Sequence, residues 1–176
     1  MRAYIHRHYT DIEMASSTAA SQMLMFVRDE NGNYQAVLTT RRNGNGKTCV
    51  RVDSFGGAQY VNVRDYFTSP DGALQPTKRG VNLTVDEWRC LCANHSPVAE
   101  AAHSRSVGTT IRVTQDVVVA VQPKERFPNS VSVVISKSRT SLDGEQVERK
   151  IELSPATWKL LTNSTARQQV DFLTNV

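Results

Sequence analysis

Alternation between apolar and polar side chains predicts a run of strands in the first half of the chain. Residues 50–55 alternate and end at the pair Gly56-Gly57, and residues 59–67 alternate again. A Ser-Pro-Asp-Gly turn at 69–72 then precedes residues 81–83, where the pattern returns. The proline and glycine of this turn supply the backbone angles that a tight reversal needs. The stretch is therefore predicted to form consecutive strands of one sheet.

Two helices are predicted, one in each half of the chain. Thr84 and Glu87 have the spacing of a capping box, which begins a helix that carries Trp88. Pro97 is predicted to interrupt that helix, with a further helical turn or two over the alanine-rich residues that follow. Ser154-Pro155 begins the second helix, because proline is favoured at the first helical position, and that helix is predicted to run towards Leu173.

Upstream of this stretch, residues 23–27 predict a short apolar strand, and Asn31-Gly32 predicts a hairpin turn into a strand over 34–40. Residues 41–47 form a basic loop with two glycines. A solvated hairpin tip is the favoured interpretation of that loop, and a finger that contacts phosphates is the alternative. For residues 1–20 the pattern leaves open a packed arm or a loosely ordered lead-in.

The second half of the chain repeats landmarks of the first. Asp143-Gly144 lies 72 residues after Asp71-Gly72, and Phe127 lies 72 residues after Phe55. Past the turn the offset becomes 70, which a two-residue deletion in a loop explains. Before the turn, Val133 and Ile135 align with Val61 and Val63 at the offset of 72. After the turn, Ile151, Leu153 and Trp158 align with Val81, Leu83 and Trp88 at the offset of 70. Two short modules can share some landmarks by chance. The number of matched positions, with only one change of offset, favours an internal duplication.

Composition describes a globular protein with mild basic character. The 176 residues are 39% hydrophobic and 22% charged, with a net charge of +4, which permits a polyanionic partner without requiring one. Three cysteines cannot form a disulfide framework, which favours a reducing compartment. The first ten residues are charged where a signal peptide would be apolar, and no stretch has the length of a membrane span. We therefore expect an intracellular protein without a membrane partner.

One known family shares the order of these motifs. VNVRDYF at 61–67, PDG at 70–72 and KRGVNLTVDEW at 78–88 resemble the positive cofactor four family of transcriptional coactivators, small β-β-β-β-α domains that bind single-stranded and melted DNA. The resemblance runs from about Val50 to Trp88, less than a quarter of the chain. That family pairs two subunits through their helices, so two repeats in one chain resemble such a dimer made covalently.

The expected fold follows from the repeats and the resemblance. We expect an α+β protein with two β-β-β-β-α modules, curved antiparallel sheets, and helices that pack together as a pseudo-dimer. The predicted divisions are an arm over 1–22, a first module with an extra N-terminal hairpin over 23–104, a linker over 105–110, and a second, degenerate module over 111–176.

The resemblance also implies a binding surface on the first module. Phe55 and Phe67 match positions at which the family stacks bases, and Arg64, Lys78 and Arg79 match its backbone-contacting cations. Arg51 shares a strand face with Phe55, and Tyr66 shares one with Arg64, which adds both to the predicted site. Packing in the core or at a strand end is the alternative for the two phenylalanines.

The second module departs further from the family pattern. Ser136 replaces the arginine, Arg139 falls on the Phe67 position, and Lys150 falls on Gly80. The first module also lacks usual lysines, having Gly56, Ala58 and Gln75 there. The second module still contributes candidate binding residues, of which the only ring is a phenylalanine: Lys124, Arg126, Phe127, Lys137, Arg139 and Arg149. A lower affinity than in a symmetric dimer, or a division of work between the halves, is expected.

Neither a metal nor a cofactor is expected. Cys90 and Cys92, with His95 and His103 nearby, invite a zinc interpretation, but residues two apart on a helix point in different directions. Buried structural cysteines are the favoured alternative. The sequence also shows no nucleophile with a placed base, no paired carboxylates and no glycine-rich nucleotide loop, so an enzyme is not predicted.

These observations predict a non-enzymatic protein that binds single-stranded or melted DNA in transcription or replication. One alternative is a structural or protein-interaction module that keeps the fold while its nucleic-acid surface has decayed. RNA binding is another, because no residue here distinguishes a ribose hydroxyl. Expected partners are single-stranded DNA or RNA, transcription or replication proteins, and a second copy of the chain. A nuclear location is expected for a eukaryotic source or a virus that replicates in the nucleus.

Overall fold

The computed structural model describes residues 24–29, 32–41, 44–124, 127–141 and 143–175, and within them two antiparallel sheets are each followed by two helices. This architecture confirms the α+β class. The first sheet has its strands in chain order: β1 (Val27–Arg28), β2 (Tyr34–Thr40), β3 (Gly46–Phe55), β4 (Ala58–Thr68) and β5 (Leu74–Thr84). The second sheet follows the same rule: β6 (Thr110–Arg112), β7 (Val117–Lys124), β8 (Phe127–Thr140) and β9 (Gln146–Leu153). The helices are α1 (Val85–Ala93), α2 (His95–His103), α3 (Pro155–Thr162) and α4 (Ser164–Thr174).

The apolar side of each predicted alternation faces one common core. Val61 and Val63 of β4 are fully buried, and so are Val133 and Ile135 of β8. All four belong to a single buried cluster that spans both sheets and the helices. Residues 24–26, part of the predicted strand over 23–27, lie outside any strand and lead into β1, with Leu24 buried in this cluster. Residues 1–22, the predicted arm, lie outside the described residues.

Each predicted helix is in fact two helices, and an asparagine marks each break. Asn94 ends α1 with its side-chain amide donating to the Cys90 carbonyl, so the break comes before Pro97 and not at it. Pro97 then lies in the first turn of α2, where its missing N–H costs no helical hydrogen bond. Asn163 adopts an extended conformation between α3 and α4, and its side chain accepts a hydrogen bond from the Ala166 N–H.

The helices of the two modules pack together, as the pseudo-dimer predicts. Helix α2 lies against α3, and the Trp158 indole Nε1 donates to the His95 carbonyl at 3.4 Å. Across the same junction, Arg89 Nε of α1 lies 3.5 Å from Asp171 Oδ1 of α4. Trp158 and Trp88 are both 1% exposed. Both tryptophans are therefore buried, and the closest packing between helices of the two modules is that of α2 against α3.

The two modules share their strand register on both sides of a bulge. In the first module Val61 pairs with Leu83 and Val63 with Val81, and the second module has the matching pairs. Those pairs are Val133 with Leu153 and Ile135 with Ile151. The β4–β5 and β8–β9 turns also match, because Ser69 and Ser141 each donate a side-chain hydrogen bond to the aspartate two residues on. This agreement supports the internal duplication, which stays a prediction.

The two-residue offset change lies inside a strand and not in a loop. Between the pairs Arg64–Gly80 and Tyr66–Pro76, a single residue of β4 faces three residues of β5, Thr77 to Arg79. At the matching place in the second module, Lys137 faces Arg149 alone. A β-bulge of the first module is therefore absent from the second, and the bulge carries the Lys-Arg pair of the motif.

Candidate nucleic-acid interface

A groove of about 870 Å³ lies between the two modules, and we refer to it as the inter-module groove. One wall is the face of β3, β4 and β5 that points away from the core, and the other comes from β8 and β9. More than half of the predicted site residues line it: Phe55, Arg64, Tyr66, Lys78, Lys137, Arg139 and Arg149. The fold thus brings candidate residues of both halves to one surface, although they are far apart in sequence.

Phe55 is the most exposed predicted ring. It ends β3 next to the Gly56-Gly57 turn and is 78% exposed, so it is not a core residue. Tyr60 lies nearby on β4, is partly exposed and lines the same groove. Tyr60 is not among the predicted site residues. The sequence does indicate its position, because Tyr60 is separated from Arg64 and Tyr66 by an even number of residues and so shares their face of the strand.

Phe67 does not line the inter-module groove. It pairs with Gly46 while its neighbour Tyr66 pairs with Lys47, and successive residues of a strand point to opposite faces. Phe67 therefore points to the side of Asp65, at the end of β4, and is 44% exposed. The resemblance placed Phe55 and Phe67 together as stacking rings, and the strand alternation separates them.

Arg51 and Tyr66 are held within the sheet. Arg51 Nε donates to Asp53 Oδ1 at 2.7 Å, and Arg51 Nη2 donates to Asp29 Oδ2 at 2.9 Å. Its guanidinium is therefore already matched by two carboxylates. Tyr66 is 6% exposed, and burial raises the pKa of its phenol above the usual value. Tyr66 lines the inter-module groove from within the sheet, Arg51 does not line it, and neither side chain is free to make a new contact.

Arg64 is positioned by the bulge of β5. Its Nη1 donates to the Thr77 carbonyl at 2.7 Å, inside the bulge. Its cross-strand partner is Gly80, where an added Cβ would lie 2.8 Å from the Arg64 Cβ and Cγ. The glycine of the Lys-Arg-Gly motif therefore leaves the space that Arg64 occupies. The same bulge displays Lys78 towards the inter-module groove.

The second module supplies three cations to the groove, and one of them is committed to structure. Lys137 Nζ lies 2.6 Å from Glu87 Oε2 and 3.0 Å from the Asn82 carbonyl, which links β8 to the start of α1. Arg139 and Arg149 line the groove and, like Arg64 and Lys78, form no ion pair with another described residue. These four cations can meet an anionic ligand without first breaking an ion pair to any residue that the structure describes.

Two carboxylates also line the groove. Asp53 is the partner of Arg51 and also accepts a hydrogen bond from the Asn62 amide at 2.6 Å, so its charge is largely compensated. Asp116 lies on the side of the second module. The balance of the lining is therefore positive, with the exposed Phe55 and the partly exposed Tyr60 near the β3–β4 turn. Cations along a path beside flat rings are the arrangement that single-strand binding requires.

Arg79 points to a smaller, neighbouring space, which we call the adjoining cleft. Its volume is about 250 Å³, and Lys78 and Arg149 line both the cleft and the inter-module groove. The other lining residues are Arg79, Gln122, Val134, Glu148, Lys150 and Glu152. Lys78 and Arg79 are adjacent in the sequence but differ in the surfaces that they line. Lys78 lines both the inter-module groove and the adjoining cleft, and Arg79 lines the cleft.

Lys124 and Phe127 lie at the β7–β8 hairpin. Phe127 begins β8 and pairs with Lys124, the last residue of β7. Lys124, and not Phe127, therefore has the hairpin position of Phe55, and the predicted match of Phe127 to Phe55 is wrong. Phe127 is 64% exposed, but neither it nor Lys124 lines the inter-module groove. Arg126 lies outside the described residues.

The cysteines face different environments. Cys90 is exposed and Cys92 is buried, so the two thiols point to different sides of α1, as their spacing predicts. Burial raises the pKa of the Cys92 thiol to about 12 and that of Cys49 to about 11. Within the described ranges, no group of three or more His, Cys, Asp or Glu side chains is placed to hold a metal ion. No helix in those ranges is both long enough and apolar enough to cross a membrane.

Comparison with known proteins finds a family match within the first module. Residues 43–94 match the model of the family described as Transcriptional Coactivator p15 (PC4). The RNA polymerase II transcriptional coactivator KIWI of Arabidopsis thaliana is 34% identical over 55 residues, 31% of this chain and 50% of that protein. The chain thus spans about half the length of this curated relative. A bacteriophage T5 homolog of the eukaryotic transcription coactivator PC4, implicated in recombination-dependent DNA replication, aligns with a TM-score of 0.34 and 15% identity over 42% of this chain and 81% of its own. The predicted resemblance to the positive cofactor four (PC4) family is confirmed for residues 43–94.

Proposed function

From the PC4-like segment of the first module, we propose that this protein binds single-stranded or melted DNA along the inter-module groove. Phe55 and Tyr60 supply rings for base stacking, and Arg64, Lys78, Arg139 and Arg149 contact the phosphates. The observation that carries the proposal is the position of the exposed Phe55 in one groove with these four unpaired cations of the described residues. The role is non-enzymatic and belongs to transcription or replication, in the nucleus for a eukaryotic source.

The chemistry of a single strand fits this arrangement. Its bases have free faces that stack on aromatic rings, and its phosphates follow a path that cations can line. A duplex hides those faces in its own stack, so the ring-bearing end of the groove favours unpaired or melted DNA. The PC4-like segment contains Phe55, Tyr60, Arg64 and the Lys78-Arg79 bulge, which ties the ring-bearing wall to the region of family similarity.

The test is the salt dependence of affinity for a fluorescently labelled oligothymidylate, measured by anisotropy. Four phosphate contacts to a single strand predict a slope of log K against log salt of roughly −3. Arg149→Ala should weaken binding and flatten the slope by roughly 0.7. Lys159→Ala is the matched control, because Lys159 is an exposed cation on α3 that lines neither surface. Absence of any salt-sensitive binding would defeat the proposal.

The same assay addresses the other two candidates. A protein-interaction module with a decayed surface would bind no oligonucleotide at low salt, and Phe55 would then belong to a protein contact. An RNA-binding protein would prefer oligouridylate to oligothymidylate or deoxyuridylate of equal length, because the 2′-hydroxyl distinguishes RNA from DNA. We expect the protein to bind single-stranded DNA, and we expect unlabelled duplex DNA of equal length to be a poor competitor for that binding.

A further inference from the structure

The two modules present different chemistry at matching positions of their outer faces. The pairs Phe55–Ala58 and Lys124–Phe127 each close a hairpin, so Lys124 stands where the first module has Phe55. Asp53 pairs with Tyr60, and Gln122 pairs with Ser132, so a serine stands at the position of Tyr60. Both rings proposed to stack bases are thus absent from the corresponding face of the second module.

The same comparison extends to β9. Tyr66 pairs with Pro76, whereas its counterpart Ser138 pairs with Glu148. Asn62 pairs with Asn82, whereas Val134 pairs with Glu152. Glu148 and Glu152 are exposed, lie in the adjoining cleft, and form no ion pair with another described residue. The adjoining cleft is therefore the second module's counterpart of the inter-module groove, with the carboxylates of Glu148 and Glu152 at the positions of Pro76 and Asn82.

We propose that the two modules divide the binding of one strand: the first module contacts the bases, and the second contacts only phosphates, through Arg139 and Arg149. This inference rests on the proposed function, and it adds that each chain binds a single strand. A second strand has no aromatic ring to stack on in the adjoining cleft, where Glu148 and Glu152 offset part of the positive charge of the lining cations. Arg139 of β8 and Arg149 of β9 line the inter-module groove, whose other wall belongs to the first module.

The experiment removes side chains and bases in turn. An oligothymidylate of about 8 nucleotides, within the site sizes usual for single-strand binders, is compared with a strand of equal length that carries abasic sites. On the normal strand, Phe55→Ala should lower affinity roughly five- to 150-fold. On the abasic strand that loss should nearly vanish. Arg139→Ala should lower affinity by the same factor on both strands, because a phosphate contact does not depend on the base.

Stoichiometry and crosslinking complete the test. Titration calorimetry should give one strand per chain, and photocrosslinking with 5-iodouracil should label the first module only. Lys150→Ala, which removes a cation of the adjoining cleft, is the matched control for Arg139→Ala and should leave affinity unchanged. Two strands per chain, a crosslink at the exposed Phe127, or an Arg139→Ala loss confined to the normal strand would overturn the division of work. A wild-type chain that binds neither strand would instead defeat the proposed function.

Discussion

Arg64 and Gly80 are cross-strand partners, and the second module exchanges their sizes. There, Ser136 takes the place of Arg64 and pairs with Lys150, which takes the place of Gly80. In each module one long cation and one small residue share the site. The long side chain comes from the inner strand β4 in the first module and from the edge strand β9 in the second. The exchange moves the cation away from the inter-module groove and into the adjoining cleft.

This relationship predicts that Gly80→Ala will be destabilising. The new methyl group would lie 2.8 Å from the Arg64 Cβ and Cγ and 2.9 Å from the Val63 carbonyl oxygen. Crowding of this kind costs about 1–3 kcal/mol in the free energy of unfolding, measured by urea denaturation. Displacement of Arg64 should also lower the affinity for single-stranded DNA.

The matched control is Gly80→Ala in an Arg64→Ser background. Serine removes the Cγ that the methyl group would meet but keeps the Cβ at 2.8 Å, so only part of the lost stability should return. The recovery should be incomplete, because the Val63 carbonyl remains close. Equal losses in the two backgrounds would mean that the backbone and the Cβ of residue 64, and not the rest of the Arg64 side chain, require glycine at this position.

A second prediction separates the two phenylalanines that the family resemblance grouped together. Phe55→Ala should weaken single-strand binding with little change in melting temperature, because the ring is 78% exposed. Phe67→Ala should leave affinity nearly unchanged, because Phe67 points to the other face of β4. Anisotropy and thermal melting on the same two variants provide the comparison. Equal losses of affinity would contradict the alternation argument, and unchanged affinity in both would contradict stacking by Phe55.

Much of the fold could be predicted because strand periodicity and turn chemistry are local. The phase of Val61 and Val63, the Asp71-Gly72 turn and the Thr84 capping box all lie within a few residues of what they specify. The helix break at Asn94 was missed for a physical reason. Pro97 is the stronger breaker in general, but it is harmless in a first turn, and asparagine side chains compete for helix-end carbonyls.

The candidate site was less predictable, because it depends on how two modules meet. The meeting of Arg139 and Arg149 with Phe55 follows from packing between elements that are distant in the chain. The ion pair of Lys137 with Glu87 has the same origin, and no local pattern indicated it. Tyr60 could have been identified from its strand phase alone. The true hairpin partner of Phe127 required the register of β7 and β8.

A third prediction concerns the link between the modules. Lys137 and Glu87 are 20% and 13% exposed in their side chains, and Lys137 also donates to the Asn82 carbonyl. Lys137→Ala should therefore cost about 1.5–3 kcal/mol in the free energy of unfolding, as for hydrogen bonds to charged groups. Arg139→Ala, two residues on, removes a cation without an ion pair among the described residues and should change stability little. Denaturation midpoints of the two variants should differ in that order, and the reverse order would refute a structural role for Lys137.

A fourth prediction concerns the thiols. Cys90 is exposed, whereas Cys49 and Cys92 are buried with their pKa raised to about 11 and about 12. The thiolate is the reactive form, so at pH 8 one thiol per native chain should react rapidly with Ellman's reagent. After denaturation all three cysteines of the chain should react. Cys90→Ser should abolish the fast phase, and a fast phase that survives this substitution would show that a second thiol is accessible.

The last prediction uses the divergence of two adjacent cations in the bulge of β5. Lys78 lines the inter-module groove and the adjoining cleft, whereas Arg79 lines only the cleft. Lys78→Ala should weaken binding of a single strand and reduce the slope of log K against log salt by roughly 0.7, the value of one phosphate contact to single-stranded nucleic acid. Arg79→Ala removes a charge one residue away, so the general loss of positive potential is nearly the same, but it should leave the slope close to that of the wild type. Anisotropy titrations between low and physiological salt, with melting curves for both variants, measure the difference. A larger effect of Arg79→Ala would place the phosphates in the cleft and not in the groove. In that case the strand would run over the second module's outer face, and Phe55 would be free for another partner.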